Sequence, residues 1–212
     1  KRKEEVTVAC IIFGAGSYYG LEHRPRPGDY VIAADGGWQY CKQEGIVPDL
    51  LLGDFDSLAV VPDFAHIHRV PVEKDDSDMM LAIKDGLAHG QRAFHLYGGM
   101  GGARSDHTLA NMQSLLYLAC HGAQGWLYGD RERYTVIRDS GSITFPAKEQ
   151  GIMSVFCMGA DAEGVSITGA QYLLADASLS AEFPLGVSNH FIGNPITVSV
   201  RKGSLLIGLL DK

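Results

Sequence analysis

Two short acidic motifs carry the side chains best suited to chemistry. The first, Gly53-Asp-Phe-Asp-Ser57, follows the apolar run 50–52, and the second, Lys74-Asp-Asp-Ser-Asp78, follows the apolar run 70–72. Carboxylates that cluster at the ends of buried strands are costly unless a positive group neutralises them. Mg²⁺ prefers oxygen ligands and commonly binds together with substrate phosphates. The two motifs therefore predict a metal-dependent enzyme that acts on a nucleoside triphosphate.

The spacing of the aspartates fits a shared metal ion. Asp54 and Asp56 point the same way if their segment is extended, and Asp75 and Asp78 face the same way on a first helical turn. A solvated turn with capping aspartates is the alternative for either motif alone. Because the chain has two such motifs, we predict that these four carboxylates include the ligands of a divalent cation.

A glycine-rich segment at 98–104 has the composition of a phosphate-binding loop. Gly101 and Gly102 let backbone N–H groups approach a phosphate, and the helix that follows adds its positive end. Arg104 can bind phosphate oxygens through two N–H groups. Lys74 is a second candidate cation, with an ordinary surface lysine as the alternative. The sequence has no Walker pattern G-x-x-x-x-G-K-[ST], so this loop is not a standard P-loop.

Three further polar residues stand beside these motifs. Asp106 and His107 are candidates for binding the nucleotide or for orienting Arg104, and His107 is equally explained as a satisfied histidine at a helix end. Asp35, in Asp35-Gly-Gly37, follows another apolar run and is a candidate contact for substrate or phosphate. A plain turn between a strand and a helix is the alternative for Asp35.

The elements that must position these residues alternate between strand and helix. Apolar runs predict buried strands at 6–13, 30–34, 50–52 and 93–97. Helical spacing predicts helices at 38–44, from 76 or 77 to 89, and from 105 or 106 to 121. The predicted core-facing residues of the second helix are Met80, Ile83 and Leu87, and those of the third are Leu109, Met112, Leu116 and Ala119. The alternation predicts an open α/β sheet, with ligands beyond the carboxyl ends of its strands.

The second part of the chain has a different character. After residue 124 helical spacing disappears, and short β-rich runs follow one another between Gly, Asn, Asp and Pro. The segment 186–191 predicts a hairpin loop. We predict a mixed α/β protein: an open, mostly parallel sheet with flanking helices in a nucleotide-binding domain at 1–130, then a small all-β sandwich at 131–212.

Composition excludes several classes of protein. The 212 residues carry a net charge of −7, which argues against a general nucleic-acid surface. The four cysteines form no C-x-x-C pair, which favours free thiols in a reducing cytosol. Glu4 and Glu5 make a signal peptide a poor description of the N-terminus, and no apolar stretch approaches the ~18 residues of a membrane span. We expect a cytoplasmic protein.

Five motifs, in this order along the chain, resemble the thiamine pyrophosphokinase family. They are Asp35-Gly-Gly37, Gly53-Asp-Phe-Asp-Ser57, Lys74-Asp-Asp-Ser-Asp78, Arg104-Ser-Asp-His107 and Gly186-Val-Ser-Asn189. The resemblance covers nearly the whole chain. The chain departs from the family pattern at two positions, with Ala103 in place of a usual glycine and Ser77 in place of a frequent threonine.

The resemblance implies a fold, a reaction and a set of residues. It implies a nucleotide-binding α/β domain followed by a β-sandwich, in a homodimer that binds thiamine between subunits. The reaction it implies transfers a diphosphate from ATP to the hydroxyl of thiamine and releases AMP. By analogy the Mg²⁺ and phosphate site takes Asp54, Asp56, Asp75 and Asp78. The residues implied to hold ATP are Lys74, Ser77, Arg104, Asp106 and His107. Those implied near thiamine are Ser188 and Asn189.

The physics of this reaction agrees with the motifs, although two other functions stay open. Attack of an alcohol on the β-phosphorus needs positioning and charge neutralisation, and Asp78 or Asp56 is a candidate acceptor of the hydroxyl proton. A haloacid-dehalogenase-like phosphatase would use Asp54-Phe-Asp56 as a nucleophile motif, but it leaves the Gly-Arg loop and the β domain unexplained. A non-catalytic nucleotide sensor would bind ATP without turnover.

Overall fold

The structure, a computed structural model, describes residues 8–53, 66–69, 75–102 and 104–211. The predictions for Asp54, Asp56 and Lys74 lie outside the described residues. The chain divides into two compact units. The first comprises Lys1–Ser114 and Gly125–Asp130, and the second comprises Leu115–Gln124 and Arg131–Lys212.

The first unit is built on a mainly parallel sheet. Its strands are β1 (Cys10–Phe13), β2 (Tyr30–Ala34), β3 (Leu50–Gly53), β4 (Ile67–Arg69), β5 (Ala93–Tyr97) and β6 (Gln124–Tyr128). They lie in the order β6-β5-β1-β2-β3-β4, and β1 pairs in parallel with β2 and β5. All four residues of β1 are fully buried. A central strand covered on both faces needs a continuous apolar run, which is why the sequence reveals it.

Three helices belong to the predicted pattern, and each ends or begins at an identifiable residue. They are α1 (Gly37–Glu44), α2 (Asp78–Ala88) and α3 (Ser105–Cys120). Gly45 ends α1 in the left-handed conformation, at φ 66°, and its N–H donates to carbonyl oxygens of the last turn. The Ser77 hydroxyl caps α2 by accepting the N–H of Met80 at 3.2 Å.

The buried faces of α2 and α3 differ from those predicted. The buried residues of α2 are Met79, Ala82, Ile83 and Gly86, so only Ile83 of the predicted set is fully buried. In α3 the buried residues are Asn111, Ser114, Leu115 and Leu118, whereas Leu109 is 65% exposed. The prediction was wrong because it counted large apolar side chains, while a glycine and two hydrogen-bonded polar residues occupy these faces.

The second unit is all β. Its strands are β7 (Glu132–Arg138), β8 (Ser142–Phe145), β9 (Ile152–Cys157), β10 (Ala162–Thr168), β11 (Leu174–Leu179), β12 (Gly186–His190), β13 (Ile196–Ser199) and β14 (Ser204–Leu210). Four pair antiparallel in the order β12-β9-β14-β7, and four in the order β11-β10-β13-β8. The predicted α/β fold class, with a following all-β part, is confirmed. No helix in the described parts of the chain is long and apolar enough to cross a membrane.

The segment 186–190 corrects one prediction, because it is strand β12 and not a hairpin loop. Its pairing with β9 shifts register between Gly186 and Asn189, and Ser188 has a left-handed φ of 61°. A strand with a bulge and polar residues lacks the apolar alternation by which strands are identified in a sequence.

Candidate active site

Two loops meet at the point where the strand order of the first unit reverses. From β1 the chain builds the sheet outward through β2 to β4, and β5 then returns to the other side of β1. The loops that follow β1 and β5 therefore leave the same edge of the sheet side by side, which is where open α/β sheets bind ligands. The N–H of Gly14 donates to the Tyr97 carbonyl at 2.8 Å, and that of Gly16 donates to the Gly98 carbonyl at 2.8 Å.

One cavity at this edge, which we call the acidic cavity, has a volume of about 370 Å³. Predicted site residues that line it are Asp35, Ser77, Asp78, Asp106 and His107. They come from three motifs that are far apart in the sequence. The acidic cavity thus gathers three carboxylates, whose oxygens are ligands that a hard cation prefers.

The backbone around Asp35 brings a third strand to the same place. Asp35 has a left-handed φ of 47°, and its N–H donates to the Leu52 carbonyl at 2.7 Å. A Cβ added to Gly53 would lie 3.1 Å from Asp35 Cα. The end of β3, whose last residue Gly53 begins the first acidic motif, therefore packs against Asp35 in the wall of the acidic cavity.

A second cavity of about 410 Å³ adjoins the first, and we call it the glycine cavity. Glycines form much of its wall, and the two cavities share four lining residues, Ala15, Gly98, His107 and Asn111. Gly101 and Gly102 have left-handed φ values of 75° and 80°, which other residues adopt only with strain. Arg104 is its charged lining residue among those described.

Arg104 and Asp106 form a two-point ion pair. Arg104 Nε donates to Asp106 Oδ1 at 2.9 Å, and Nη2 donates to Oδ2 at 2.7 Å. These hydrogen bonds lower the pKa of Asp106 to about 2 and raise the pKa of Arg104. Because both side chains are exposed, the pair contributes little to stability. Its effect is to hold the guanidinium in one orientation at the mouth of the glycine cavity.

The ion pair predicts a measurable titration. We expect Asp106 to remain a carboxylate as the pH falls to about 3, because its pKa is depressed to about 2. In Arg104→Ala the pKa should rise toward the ordinary value of 3.8, so that Asp106 gains its proton at higher pH. Carboxyl ¹³C NMR between pH 7 and 3 measures the difference. Arg138→Ala, which breaks another exposed Arg–Asp pair, is the control; an equal response to both variants would contradict the assignment.

Asn111 is a site residue that sequence reasoning missed. It lines both cavities, is 7% exposed, and its Nδ2 donates to the Gly99 carbonyl at 2.7 Å. It stands one helical turn after His107, and this spacing was the signal available. The loop 14–17 was missed as well, although its two glycines directly follow the first buried strand.

Removal of the Asn111 amide should destabilise the protein. In Asn111→Ala the buried Gly99 carbonyl loses its donor, and we expect the free energy of unfolding to fall by about 1–3 kcal/mol. Ser114→Ala is the matched control, because Ser114 Oγ donates to the Ala110 carbonyl of its own helix, at 3.0 Å. Urea unfolding of both variants measures the contrast. Equal losses of stability in the two variants would show that the Asn111 amide does not hold the loop 98–102.

Several predicted residues are placed elsewhere. Asp75 is exposed and is not among the lining residues of either cavity. Within the described ranges, no group of three or more His, Cys, Asp or Glu side chains has a metal-binding arrangement. Asp54 and Asp56 lie outside those ranges.

Ser188 and Asn189 belong to strand β12 of the second unit. Asn189 is 5% exposed; its Oδ1 accepts the N–H groups of Tyr172 and His190, both at 2.9 Å, and its Nδ2 donates to the Tyr172 carbonyl at 2.7 Å. Ser188 is exposed, and its N–H donates to Ser154 Oγ at 3.1 Å. Asn189 also lines an apolar cavity of about 260 Å³ with Leu185 and other residues.

A parallel sheet with carboxylates, glycine loops and an arginine at its switch point is typical of α/β enzymes that transfer phosphorus-containing groups. The model of the family "Thiamin pyrophosphokinase, catalytic domain" matches residues 25–126. The model "Thiamin pyrophosphokinase, vitamin B1 binding domain" matches residues 142–205. The chain belongs to the thiamin pyrophosphokinase family, and the family and enzyme class predicted from its motifs are confirmed.

Individual relatives agree with this assignment. The thiamine pyrophosphokinase of Bacillus subtilis (strain 168) is 27% identical over 183 residues, which cover 83% of this chain and 85% of that protein. The crystal structure of thiamine pyrophosphokinase from Bacillus subtilis has a TM-score of 0.86 at 23% identity, covering 96% of this chain and 99% of that one. Yeast thiamin pyrophosphokinase has a TM-score of 0.71 at 13% identity, covering 97% and 87%. These structures share the fold.

Proposed function

We propose that this enzyme transfers the terminal diphosphate of ATP to the hydroxyl of thiamine, giving thiamine diphosphate and AMP, and that it requires Mg²⁺. The observation that carries the proposal is the pair of adjoining cavities. One is lined by three carboxylates, and the other by glycines and Arg104. A phosphate chain and a metal ion need these two environments side by side.

The glycine cavity supports binding of the ATP phosphates. Glycines 101 and 102 allow close approach of the backbone, and α3 begins beside them with its positive end. Arg104 uses Nε and Nη2 to hold Asp106, which leaves other N–H groups of the guanidinium for phosphate oxygens. We propose Asp35, Lys74, Ser77, Asp106 and His107 as the remaining nucleotide contacts.

The carboxylates support a site for Mg²⁺. Carboxylate oxygens are the ligands that this hard cation prefers; because the described carboxylates alone do not form a metal-binding group, the proposal depends on further ligands from the first acidic motif. We propose Asp54, Asp56, Asp75 and Asp78 as the residues that hold it; Asp78 lines the acidic cavity, and the other three are proposed from their motifs and the family resemblance. When bound, Mg²⁺ would neutralise charge on the phosphate oxygens and on the leaving group.

The chemical step follows from these positions. The hydroxyl oxygen of thiamine forms a bond to the β-phosphorus, while the bond from that phosphorus to the α–β bridging oxygen breaks. AMP leaves with the bridging oxygen, and Arg104 compensates negative charge that develops on it. The hydroxyl proton passes to a carboxylate, Asp78 or Asp56. Catalysis is then mainly a matter of positioning and electrostatics.

The second unit supports roles in thiamine binding and in assembly. We propose Ser188 and Asn189 as contacts for thiamine. We also propose that the boundary between the two domains lies between residues 130 and 131. Large apolar side chains are exposed on this unit, including Tyr172, Leu185 and Val187. A patch of this kind is typical of an interface between proteins, and we propose that it packs against a second copy in a homodimer. The use of ATP supports a cytoplasmic location.

The test is a product analysis. Purified protein is incubated with thiamine, ATP and MgCl₂, and all products are separated by chromatography with mass detection. We expect thiamine diphosphate and AMP in equal amounts, and none with EDTA. ADP with thiamine monophosphate would mean transfer of a single phosphoryl group. Free phosphate independent of thiamine would indicate a phosphatase, and bound ATP without product would indicate a sensor; each of these results contradicts the proposal.

A further inference from the structure

The loop after β1 is held so closely against the loop after β5 that its conformation is fixed. Besides the backbone hydrogen bonds of Gly14 and Gly16, a Cβ added to Gly16 would lie 2.5 Å from the Gly98 carbonyl oxygen. Real Cβ atoms do not approach a backbone atom so closely, so only glycine fits there. The position of Ser17, the next residue, is set by this contact.

The Ser17 side chain lies close to the loop 98–102 in the wall of the glycine cavity. Ser17 lines that cavity, and its Oγ lies 3.4 Å from an ideal Cβ on Gly101 and 3.8 Å from one on Gly102. Among the parts of the chain that the structure describes, no residue is hydrogen-bonded to this hydroxyl. The hydroxyl therefore has its donor available for a ligand in the glycine cavity.

The charged and polar groups around Ser17 indicate that its ligand is an anion. The described lining of the glycine cavity includes the cation Arg104 and no carboxylate. The three described carboxylates of the site, Asp35, Asp78 and Asp106, line the acidic cavity, and Asp106 binds Nε and Nη2 of Arg104, which leaves the other N–H groups of the guanidinium for a ligand. A hydroxyl among glycine N–H groups and a guanidinium suits an anion with several acceptor oxygens.

We propose that Ser17 donates a hydrogen bond to a phosphate oxygen of the nucleotide bound between the loops 14–17 and 98–102. This inference rests on the proposed function, since it takes the ligand of the glycine cavity to be ATP. It adds a nucleotide-binding residue from the loop after β1, which precedes residue 25, where the match to the catalytic-domain model begins.

Binding of ATP to variants of the whole protein tests the inference. Calorimetric titration with ATP and Mg²⁺, without thiamine, should show about 10- to 100-fold weaker binding to Ser17→Ala, since a hydrogen bond to a charged group is lost. In turnover the KM for ATP should rise, while the KM for thiamine should stay unchanged. Ser17→Thr keeps the hydroxyl and should bind ATP within about threefold of the unmodified protein.

Tyr19→Phe is the matched control. Tyr19 follows the loop 14–17, and its hydroxyl also lies close to Gly101. Because Tyr19 lines neither cavity, the affinity for ATP should not change in this variant. An ATP affinity of Ser17→Ala within about twofold of the unmodified protein, or an equal loss in Tyr19→Phe, would overturn the role of Ser17 while diphosphate transfer persists. If the unmodified protein neither binds ATP nor forms AMP, the proposed function fails first and the inference fails with it.

Discussion

Replacement of Asp78 by asparagine is expected to abolish diphosphate transfer and leave the protein folded. Asp78 is the first residue of α2 and lines the acidic cavity together with Asp35 and Asp106. The amide keeps the size of the side chain but removes the charge that a metal ligand or a proton acceptor needs. We expect kcat to fall at least about 100-fold, which corresponds to about 2.7 kcal/mol of transition-state stabilisation.

The fold should tolerate this change, because a lost carboxylate at a helix N-terminus costs only about 0.3–1 kcal/mol. Asp76→Asn is the matched control: Asp76 belongs to the same motif but pairs with Lys84 at 2.6 Å and lines neither cavity. Steady-state kinetics with thermal unfolding of both variants give the comparison. Activity of Asp78→Asn within about tenfold of the unmodified protein would rule out an essential role.

Replacement of Gly37 by alanine is expected to have the largest effect on stability. Gly37 begins α1 against the end of the central strand, and a Cβ there would lie 2.5 Å from the Phe13 carbonyl carbon and closer still to its oxygen. Both neighbours are backbone atoms of a buried strand, so the helix must move away from the sheet. We expect a loss of more than about 4 kcal/mol, a large share of the stability of an ordinary domain.

Gly45→Ala provides the scale for this effect. Gly45 ends the same helix at a positive φ of 66°, with nothing within 4 Å of an added Cβ. Its replacement should cost about 1 kcal/mol, from backbone conformation alone. Urea unfolding, or the yield of soluble protein if Gly37→Ala does not fold, measures both. Similar stabilities of the two variants would show that α1 does not press on β1 as described.

The central strands were predictable because burial on both faces leaves a simple signal. Strands β2 and β5 have the predicted bounds, 30–34 and 93–97. Strands β4 and β6 were not predicted and β12 was predicted to be a loop, because short or polar strands are specified by backbone pairing with partners distant in sequence. The buried face of α3 was missed for a related reason. Polar residues are expected at the surface, but hydrogen bonds allow Asn111 and Ser114 to be buried.

The candidate site was predictable in part. From the rule that ligands bind at the carboxyl ends of parallel strands, the motifs that contain Asp35, Asp78 and Asp106 are expected at one edge of the sheet, and these three residues line one cavity. The loop 14–17 was not predicted, because glycines after a strand are more often simple turn residues. The loop 14–17 contributes to the site because it contacts the loop after β5, and residue spacing along the chain does not predict that contact.

The hydrogen bonds of Asn189 affect what the presence of this residue in related sequences means. Its amide holds both the N–H and the carbonyl of Tyr172, so loss of this side chain would destabilise the second unit. A descendant that no longer acted on the vitamin would still be under selection to keep it. Asn189 therefore reports descent; its neighbour Ser188 is exposed, but a left-handed φ of 61° limits which residues fit there, so neither position by itself separates active from inactive members.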